Sequence, residues 1–349
     1  MPSPVHEFSD LPRQAELAKR ANTTIKAGPS TGDASTGDAS IGMIYNPRSH
    51  RNRGRDLDAS IAPHIFLAQP GNRDQLPKAL AEFAEREINL LIINGGDGTV
   101  RDVLTSGMTV FGDNWPDIAV LPKGKTNALT VDLDAPKDWS LQGAIEAFGG
   151  KRRIVRRPVL IHPVDDPDAK AYGFVLGAGA LTIGTQAGQS AHRLGAFNSL
   201  AVAVTAVWGV IQFLFGNNNN PWRRGVTLDI DLDDADQTLG HSGLGALEKR
   251  QLLIASTLER LPAGFMPFGP HREGLKLTVL DQISRRTAVQ LPVIVKGWTP
   301  SDLAEKGIHQ VSTNGFTMEL DEAFILDGEA FPPGRYRVCS GPELRFVAP

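Results

Sequence analysis

The chain has 349 residues, a formal net charge of −3 and 41% hydrophobic residues, values that predict a globular protein of about two domains. The near-neutral charge argues against a dedicated nucleic-acid-binding protein, which would carry a cationic excess. Cys339 is the only cysteine, so the sequence excludes an intramolecular disulfide and Cys-rich zinc sites and favours a reducing compartment. The N-terminus has neither a basic start nor an apolar core, so we expect no secretory signal.

The first part of the chain, residues 1–40, is predicted to be a flexible tail. Ser30–Ser40 reads STGDASTGDAS, a repeat of polar and tiny residues that cannot bury enough apolar surface to become ordered. Asp10–Lys26 places Leu11, Ala15 and Ala18 on one helical face, which allows either a short helix or a frayed tail.

Residues 41–150 alternate short apolar runs with helical periods, which predicts a doubly wound, parallel α/β domain. The apolar runs are typical of strands buried on both faces, and they lie at Ile41–Asn46, His64–Ala68, Ile88–Asn94 and Asp117–Pro122. The helical periods lie at Asp74–Glu87 and Thr99–Met108. Because such sheets bind ligands at the carboxyl ends of their strands, the residues after each strand are the candidate site.

The strongest motif follows the third strand, where Gly95-Gly96-Asp97-Gly98-Thr99 leads into a helix. Glycines let the backbone approach a phosphate, and a helix N-terminus favours an anion. A carboxylate in such a cradle would repel the phosphate, so Asp97 is predicted to orient Mg²⁺ or to accept a proton from an acceptor alcohol. The alternative is a tight turn in which Asp97 only caps the helix.

Two further strand ends carry phosphate-binding candidates. After the first strand, Asn46-Pro47 forms a turn that precedes a basic loop suited either to phosphates or to solvent alone, with Arg48, Arg51, Arg53 and Arg55. After the fourth strand, Gly124-Lys125-Thr126 imitates the end of a Walker A loop. Ala119 stands where that loop requires glycine, so we reject a P-loop, although Lys125 could still reach a phosphate.

Residues 151–320 are predicted to form a second, β-rich domain, on the pattern of Gly225–Leu232, Arg250–Thr257, Leu275–Leu280 and Phe316–Leu320. No Asp or Glu occurs from Ala169 to Leu228, and the 22 residues of Leu194–Phe215 carry no charge. This stretch is long enough to span a bilayer, but its polar residues weaken that case. The absence of nearby carboxylates, which would repel anionic headgroups, favours a helix that lines an apolar pocket or rests on a membrane surface. A buried core helix and a transmembrane helix are the alternatives.

Taken together, the motifs resemble the diacylglycerol-kinase catalytic family of lipid kinases, which includes sphingosine and ceramide kinases and has NAD kinases as distant relatives. The carriers of the resemblance are the Gly95–Thr99 loop, the turn at Asn127 and the late Asp327-Gly328-Glu329 motif. The resemblance implies an N-terminal α/β domain and a C-terminal β-sandwich, with ATP in the cleft. The lipid would enter the C-terminal domain, and residues 321–349 would return to the cleft.

The resemblance also implies roles for individual residues. Asp97, Asp327 and Glu329 would hold metal and deprotonate the acceptor; we expect Asp97 or Glu329 to be the base and Asp97 and Asp327 to bind the metal. ATP and Mg²⁺ are the implied cofactors, with Ca²⁺ as an alternative. The implied ATP contacts are Asn46, Pro47, Arg48, Gly95, Gly96, Gly98, Thr99, Gly124, Lys125, Thr126 and Asn127.

Two departures from the family bear on the acceptor. Asn127-Ala128-Leu129 is similar to the sphingosine-kinase turn rather than to the Gly-Thr-x-Asn-Asp turn of bacterial diacylglycerol kinases. Gly173–Arg193 lacks the acid that would meet a sphingoid amine, and an unpaired cation in an apolar pocket would be costly. A neutral acceptor is therefore predicted, ceramide before diacylglycerol. Sphingosine kinase, NAD kinase and a non-catalytic lipid-binding protein are weaker alternatives.

Membrane contact follows from a lipid acceptor, so we expect a cytoplasmic protein that is peripheral at the inner face of a membrane. A basic cluster near the domain junction would face either anionic lipid or solvent; it comprises Lys151, Arg152, Arg153, Arg156 and Arg157.

Overall fold

The structure is a computed structural model that describes residues 11–22, 40–52, 65–150, 152–184, 220–234 and 237–349. The chain divides into an α/β unit, built from Pro12–Pro158, Asp168–Gly173 and Gly341–Pro349, and a β unit, built mainly from Val159–Pro167 and Phe174–Ser340. The segment 321–349 is therefore shared, because residues 321–340 belong to the β unit and 341–349 to the α/β unit.

All four apolar runs predicted in residues 41–150 form strands of the α/β unit, and its described residues also form helices. The helices are α1 (Gln14–Asn22), α2 (Leu76–Glu85), α3 (Asp97–Phe111), α4 (Ala128–Asp132) and α5 (Leu141–Gly149). The strands are β1 (Ile41–Tyr45), β2 (Ile65–Ala68), β3 (Leu90–Gly95), β4 (Asp117–Pro122), β5 (Arg153–Arg156), β7 (Ala171–Gly173) and β19 (Leu344–Val347).

The sheet of this unit has the order β2-β1-β3-β4-β19-β5. Strands β1 to β4 are parallel, and every residue of β1 and β3 is buried, as continuous apolar runs require. The final strand β19 pairs in parallel with β4 and antiparallel with β5. Strand order reverses between β1 and β3, so this edge of the sheet is a topological switch point, where open α/β sheets bind ligands.

Helix α1 corrects part of the prediction that residues 1–40 form a flexible tail, because Gln14–Asn22 is helical. It packs against α2 and α3, and its anchor is Leu17, which is 6% exposed. The face predicted from Leu11, Ala15 and Ala18 is only partly right, since Ala15 is exposed. Residues 30–39, which hold nearly all of the polar repeat, lie outside the described residues.

The β unit consists of two antiparallel sheets, as a β-sandwich requires. Its strands are β6 (Val159–Pro163), β8 (Val175–Gly179), β9 (Val226–Leu232), β10 (Gln237–Thr238), β11 (Lys249–Arg250), β12 (Leu252–Ser256), β13 (Leu275–Leu280), β14 (Ile308–Thr313), β15 (Gly315–Leu320), β16 (Phe324–Leu326), β17 (Glu329–Phe331) and β18 (Gly334–Ser340). Among the described residues of this unit, helices α6 (Pro221–Arg224) and α7 (Arg285–Ile294) accompany these strands.

One sheet contains β10-β9-β15-β18-β6, and the other has the order β14-β13-β12-β8-β16-β17. Phe324 of the second sheet meets Tyr336 of the first edge to face, with ring centroids 4.8 Å apart, so the sheets share an aromatic core. The uncharged stretch Leu194–Phe215 lies outside the described residues. Within the part of the chain that is described, no helix has the length and apolarity needed to cross a bilayer.

A buried ionic cluster joins three segments of the β unit around Asp281, which is fully buried. The carboxylate accepts hydrogen bonds from His309 Nε2 at 2.8 Å, from the backbone of Ser242 at 2.8 Å and from Arg250. Burial raises the pKa of Asp281, but these hydrogen bonds outweigh burial and hold it well below its ordinary value. The carboxylate is therefore charged in the folded protein.

We expect Asp281→Asn to lower the free energy of unfolding by about 3–5 kcal/mol, because it leaves a buried cation without its partner. Since the folded pKa is depressed, this contribution is complete above the unfolded value of about 3.9 and is lost as the pH falls below it. Thermal unfolding of both proteins between pH 3 and pH 7 measures the difference. Asp229→Asn, at an exposed position of β9, should unfold like the parent; equal midpoints for all three proteins would contradict the assignment.

Candidate functional site

The loops that follow β1, β3 and β4 meet at the switch point of the α/β unit. Asn46, after β1, donates its side-chain amide to Thr99 Oγ1 at 2.8 Å, which ties the Asn-Pro turn to the glycine loop. The backbone of Arg51 donates to the carbonyl of Lys123 at 3.0 Å, which ties the same turn to the loop after β4. The three motifs singled out in the sequence therefore form one site.

Two glycines allow this close approach. A Cβ on Gly96 would stand 2.8 Å from Gly124 Cα, and a Cβ on Gly124 would stand 2.7 Å from Gly96 Cα. Real side chains do not approach a backbone atom so closely, so the two loops pack backbone against backbone. Gly95 is equally constrained, because a Cβ there would lie 2.5 Å from Thr99 Cβ.

We expect Gly96→Ala to separate these two loops and to cost about 1–3 kcal/mol of stability, as overpacking does. Nucleotide binding should weaken at the same time, because the loops no longer hold their relative position. Calorimetric titration with ATP and a thermal melt measure both effects. Gly149→Ala in α5 is the matched control, since no atom lies within 4 Å of its added Cβ; equal ATP affinity for both variants would contradict the packing argument.

Asp97 is the first residue of α3, directly after Gly96, which caps the helix. It is half-buried, and burial raises the pKa of its carboxyl, while the backbone N–H groups of Asn127, Ala128 and Leu129 oppose that rise. The carboxyl thus faces the loop after β4 from the loop after β3. A carboxyl whose pKa is raised accepts a proton more readily than an ordinary aspartate does.

The side chain of Asn127 stabilises the loop after β4. Its Oδ1 accepts from Gly124 N at 2.7 Å and its Nδ2 donates to Gly124 O at 3.0 Å. Its backbone is left-handed, with φ 54°, which asparagine tolerates better than most residues. Lys125 and Thr126 stand exposed between these two positions. Asn127, which is among the predicted ATP contacts, therefore uses its side chain to hold this loop in place.

Sequence analysis missed a pair of buried amides at the centre of the site. Asn52 Nδ2 donates to Asn94 Oδ1 at 2.8 Å and to Asn46 O at 2.9 Å. Both side chains are below 10% exposed. Asn94 carries the one signal that could have revealed the pair, since it is a polar residue at the end of an otherwise apolar strand.

The basic loop after β1 is only partly available to a phosphate. The guanidinium of Arg48 donates to Gly71 O at 2.8 Å, and that of Arg51 donates to the carbonyl of Lys137. Pro47 lies in the turn between Asn46 and these arginines. In that turn, Asn46 Oδ1 accepts a hydrogen bond from Arg48 N at 3.0 Å. Arg53 and Arg55 lie outside the described residues.

The late Asp-Gly-Glu motif forms a tight hairpin in the β unit. Asp327 and Gly328, with φ 48° and 78°, connect β16 to β17, and two positive φ values are typical of the type I′ turn. The Asp327 carboxylate accepts from the backbone of Phe174 at 3.0 Å and of Val175 at 2.9 Å. Glu329 follows the turn and is 9% exposed.

The donor set of the α/β unit fits a magnesium ion that is brought by a nucleotide. Mg²⁺ in such sites is held by one or two carboxylates together with phosphate oxygens and water, and the carboxylate of Asp97 at the glycine loops would be one such hard oxygen ligand. Among the described residues, no group of three or more His, Cys, Asp or Glu side chains could hold a metal by itself.

Most of the predicted basic cluster is committed to ion pairs. Arg153 pairs with Asp117 at 2.6 Å, and Arg156 pairs with the fully buried Asp132 at 2.5 Å. Arg157 pairs with Glu343 at 2.8 Å. The three ion pairs therefore offset much of the positive charge of this cluster.

Part of the chain is similar in sequence to known proteins. Residues 40–156 match the family model of the diacylglycerol kinase catalytic domain. The curated diacylglycerol kinase of Bacillus subtilis strain 168 is 35% identical over 104 residues, which make up 30% of this chain and 31% of that relative. The chain thus matches about a third of the length of that relative.

Solved structures extend the similarity of the fold beyond that stretch. A crystal structure of a diacylglycerol kinase from Bacillus anthracis strain Sterne covers 89% of this chain and 97% of its own, with a TM-score of 0.57 and 15% identity. Another from the same strain, of a provisionally assigned diacylglycerol kinase, has the same coverage and identity and a TM-score of 0.60. At this identity the likeness concerns the fold alone, and it spans both units.

Proposed function

We propose that the chain transfers the γ-phosphate of ATP to the primary hydroxyl of a neutral membrane lipid. The premise is that residues 40–156 match the family model of the diacylglycerol kinase catalytic domain. The observation that carries the proposal is the meeting of the Gly96 and Gly124 loops around the Asp97 carboxyl at the switch point of the sheet. Glycine loops present backbone N–H groups to phosphate, and a carboxylate beside them serves a metal or an acceptor hydroxyl.

In this proposal the protein mainly positions the reactants. Phosphoryl transfer passes through a loose transition state, so alignment and electrostatic stabilisation account for most of the catalysis. A nucleotide-bound Mg²⁺ supplies neutralisation of charge on the phosphates. Asp97 holds that ion or takes the proton of the acceptor hydroxyl, and Glu329 is the second candidate for the proton. The buried pair Asn52 and Asn94 joins the loop after β1 to the end of β3 and so holds the site together.

Asp327 has a different role in this proposal from the metal ligand that the family resemblance implies. Its carboxylate already accepts hydrogen bonds from two backbone N–H groups, which are the partners that a turn-building carboxylate needs. We infer that Asp327 positions Glu329 by fixing the hairpin.

Diacylglycerol is the first candidate acceptor. The matching family model and the curated relative are both named for diacylglycerol kinases, which favours diacylglycerol over the ceramide that the sequence alone suggested. Ceramide is the second candidate, on the observation that Ala128 replaces the acid of the bacterial turn and that Gly173–Arg193 contains no carboxylate for an amine. Both acceptors are neutral and offer a primary hydroxyl.

A parallel assay separates the candidates. Diacylglycerol, ceramide and sphingosine are presented in identical mixed micelles with γ-labelled ATP, and NAD is offered without lipid. We expect labelled diacylglycerol as the main product. A preference for ceramide would support the second candidate, and labelled NAD or sphingosine would overturn the neutral-lipid assignment. Lipid binding without transfer would point to a non-catalytic protein.

A further inference from the structure

An exposed face of the β unit combines apolar side chains with positive charge. On helix α7, Val289 is 69% exposed and Val293 is 56% exposed. Beside the end of the helix, Phe265 is 46% exposed and Trp298 is 44% exposed. Four large apolar side chains at one location are more than the scattered single ones that ordinary surfaces carry.

The helix itself is well anchored, so this exposure is a feature of the fold. Ser284 caps α7 by accepting from Thr287 N at 3.1 Å, and the opposite face buries Thr287, Ala288 and Ile294. The exposed residues Arg285, Val289 and Val293 are spaced four apart, which places them on one helical face.

The loop that carries Phe265 is fastened to the end of α7. Met266 N donates to Val295 O at 2.7 Å, and Lys296 Nζ donates to Ala263 O at 2.7 Å. Ala263 is held in a left-handed conformation, with φ 59°, which costs a residue other than glycine about 1–2 kcal/mol. The fold therefore contains a strained turn at Ala263 that leaves the side chain of Phe265 exposed to solvent.

The positive charge of this exposed face indicates the kind of partner that it binds. From Gln282 to Ser301 the sequence has no Asp or Glu and three cations, Arg285, Arg286 and Lys296, although the whole chain carries −3. At the start of α7, burial and then the nearby charge of Arg285 lower the pKa of Arg223. A symmetric contact between two copies would bring these cations together, whereas a surface of anionic headgroups neutralises them.

We propose that the face formed by Phe265, Arg285, Arg286, Val289, Val293, Lys296 and Trp298, the α7 face, docks onto an anionic lipid bilayer. The apolar side chains enter the boundary between headgroups and acyl chains, where tryptophan is favoured, and the cations lie among the headgroups. This inference deepens the proposed function, because an enzyme whose acceptor resides in a bilayer must reach its surface, and it names the surface.

The test is sedimentation of the full chain with vesicles, without ATP or acceptor lipid. Vesicles of equal parts phosphatidylglycerol and phosphatidylcholine should bind the chain, and pure phosphatidylcholine should bind it more weakly. Val289→Asp with Val293→Asp should reduce binding about tenfold or more. Arg285→Glu with Arg286→Glu should remove the preference for phosphatidylglycerol. All changed positions are exposed, so thermal unfolding should not change.

Val164→Asp is the matched control, because Val164 is an exposed valine of the same unit, 42% exposed and next to two acids. It should bind vesicles like the parent. The proposal is overturned if the parent does not bind anionic vesicles or if the double aspartate variant binds as well as the parent. It is also overturned if the α7 face proves to hold a dimer together in solution. Vesicle binding without phosphate transfer would leave the α7 face standing and refute the proposed kinase activity.

Discussion

Replacing Asp97 by asparagine should lower the rate of phosphate transfer by about 100- to 10,000-fold, the range in which a positioned acid or base contributes. The amide keeps the size of the side chain and still accepts hydrogen bonds from the backbone of Asn127 to Leu129. It neither takes a proton nor offers a charged oxygen to Mg²⁺. Initial rates with diacylglycerol in mixed micelles measure the loss, and a variant with the rate of the parent would remove Asp97 from the mechanism.

The stability of this variant separates a chemical effect from a folding effect. Burial raises the pKa of Asp97, so its ionisation opposes folding as the pH rises above the unfolded value of about 3.9. At neutral pH, Asp97→Asn should therefore unfold at the same temperature as the parent or at a higher one. Asp113→Asn, at an exposed position after α3, is the matched control and should change neither rate nor stability.

Glu329→Gln is the second change with a large expected effect, again about 100- to 10,000-fold in rate if Glu329 takes part in proton transfer. Gln has nearly the same volume, so the β16–β17 hairpin should persist. If Asp97 and Glu329 serve the same step, the double variant should be little slower than the slower single variant, because residues that act as a unit are not additive. Full activity of Glu329→Gln would exclude it as the base.

Asp327 supplies the contrast to Glu329. Asp327→Ala leaves the N–H groups of Phe174 and Val175 without the carboxylate that they contact, and each such loss costs about 1–3 kcal/mol. Asp327→Asn keeps one acceptor oxygen and tolerates the positive φ, so it should be more stable than the alanine variant and should retain part of the activity. Equal stability of the two variants would contradict a turn-building role.

The parallel strands were predictable because burial on both faces leaves a strong signal. β1 and β3 are apolar at nearly every position, and the predicted run Asp117–Pro122 coincides with β4. The glycine loops were equally visible, since close backbone approach admits only glycine at Gly96 and Gly124. A site whose turns admit only one residue type can therefore be predicted from sequence.

Roles set by tertiary contacts were not predictable. The Asn127 side chain folds back onto Gly124, and the carboxylate of Asp327 contacts a segment about 150 residues away in sequence. Arg153 and Arg156, which look like a free basic cluster, pair with Asp117 and Asp132. In each case the packed fold brings the two partners together, and the local sequence does not indicate which residue the partner is. The strand β19, which adds the C-terminus to the first sheet, is of the same kind.

The most direct test of the proposed kinase activity is the recovery of label in extracted lipid after the purified chain is incubated with γ-labelled ATP, Mg²⁺ and either diacylglycerol or ceramide. We expect a labelled phosphate ester of diacylglycerol from the parent chain and at most about a hundredth as much from Asp97→Asn. The proposed activity is contradicted if neither lipid becomes labelled by a folded parent chain that binds ATP, and the role of Asp97 is contradicted if Asp97→Asn labels lipid as fast as the parent.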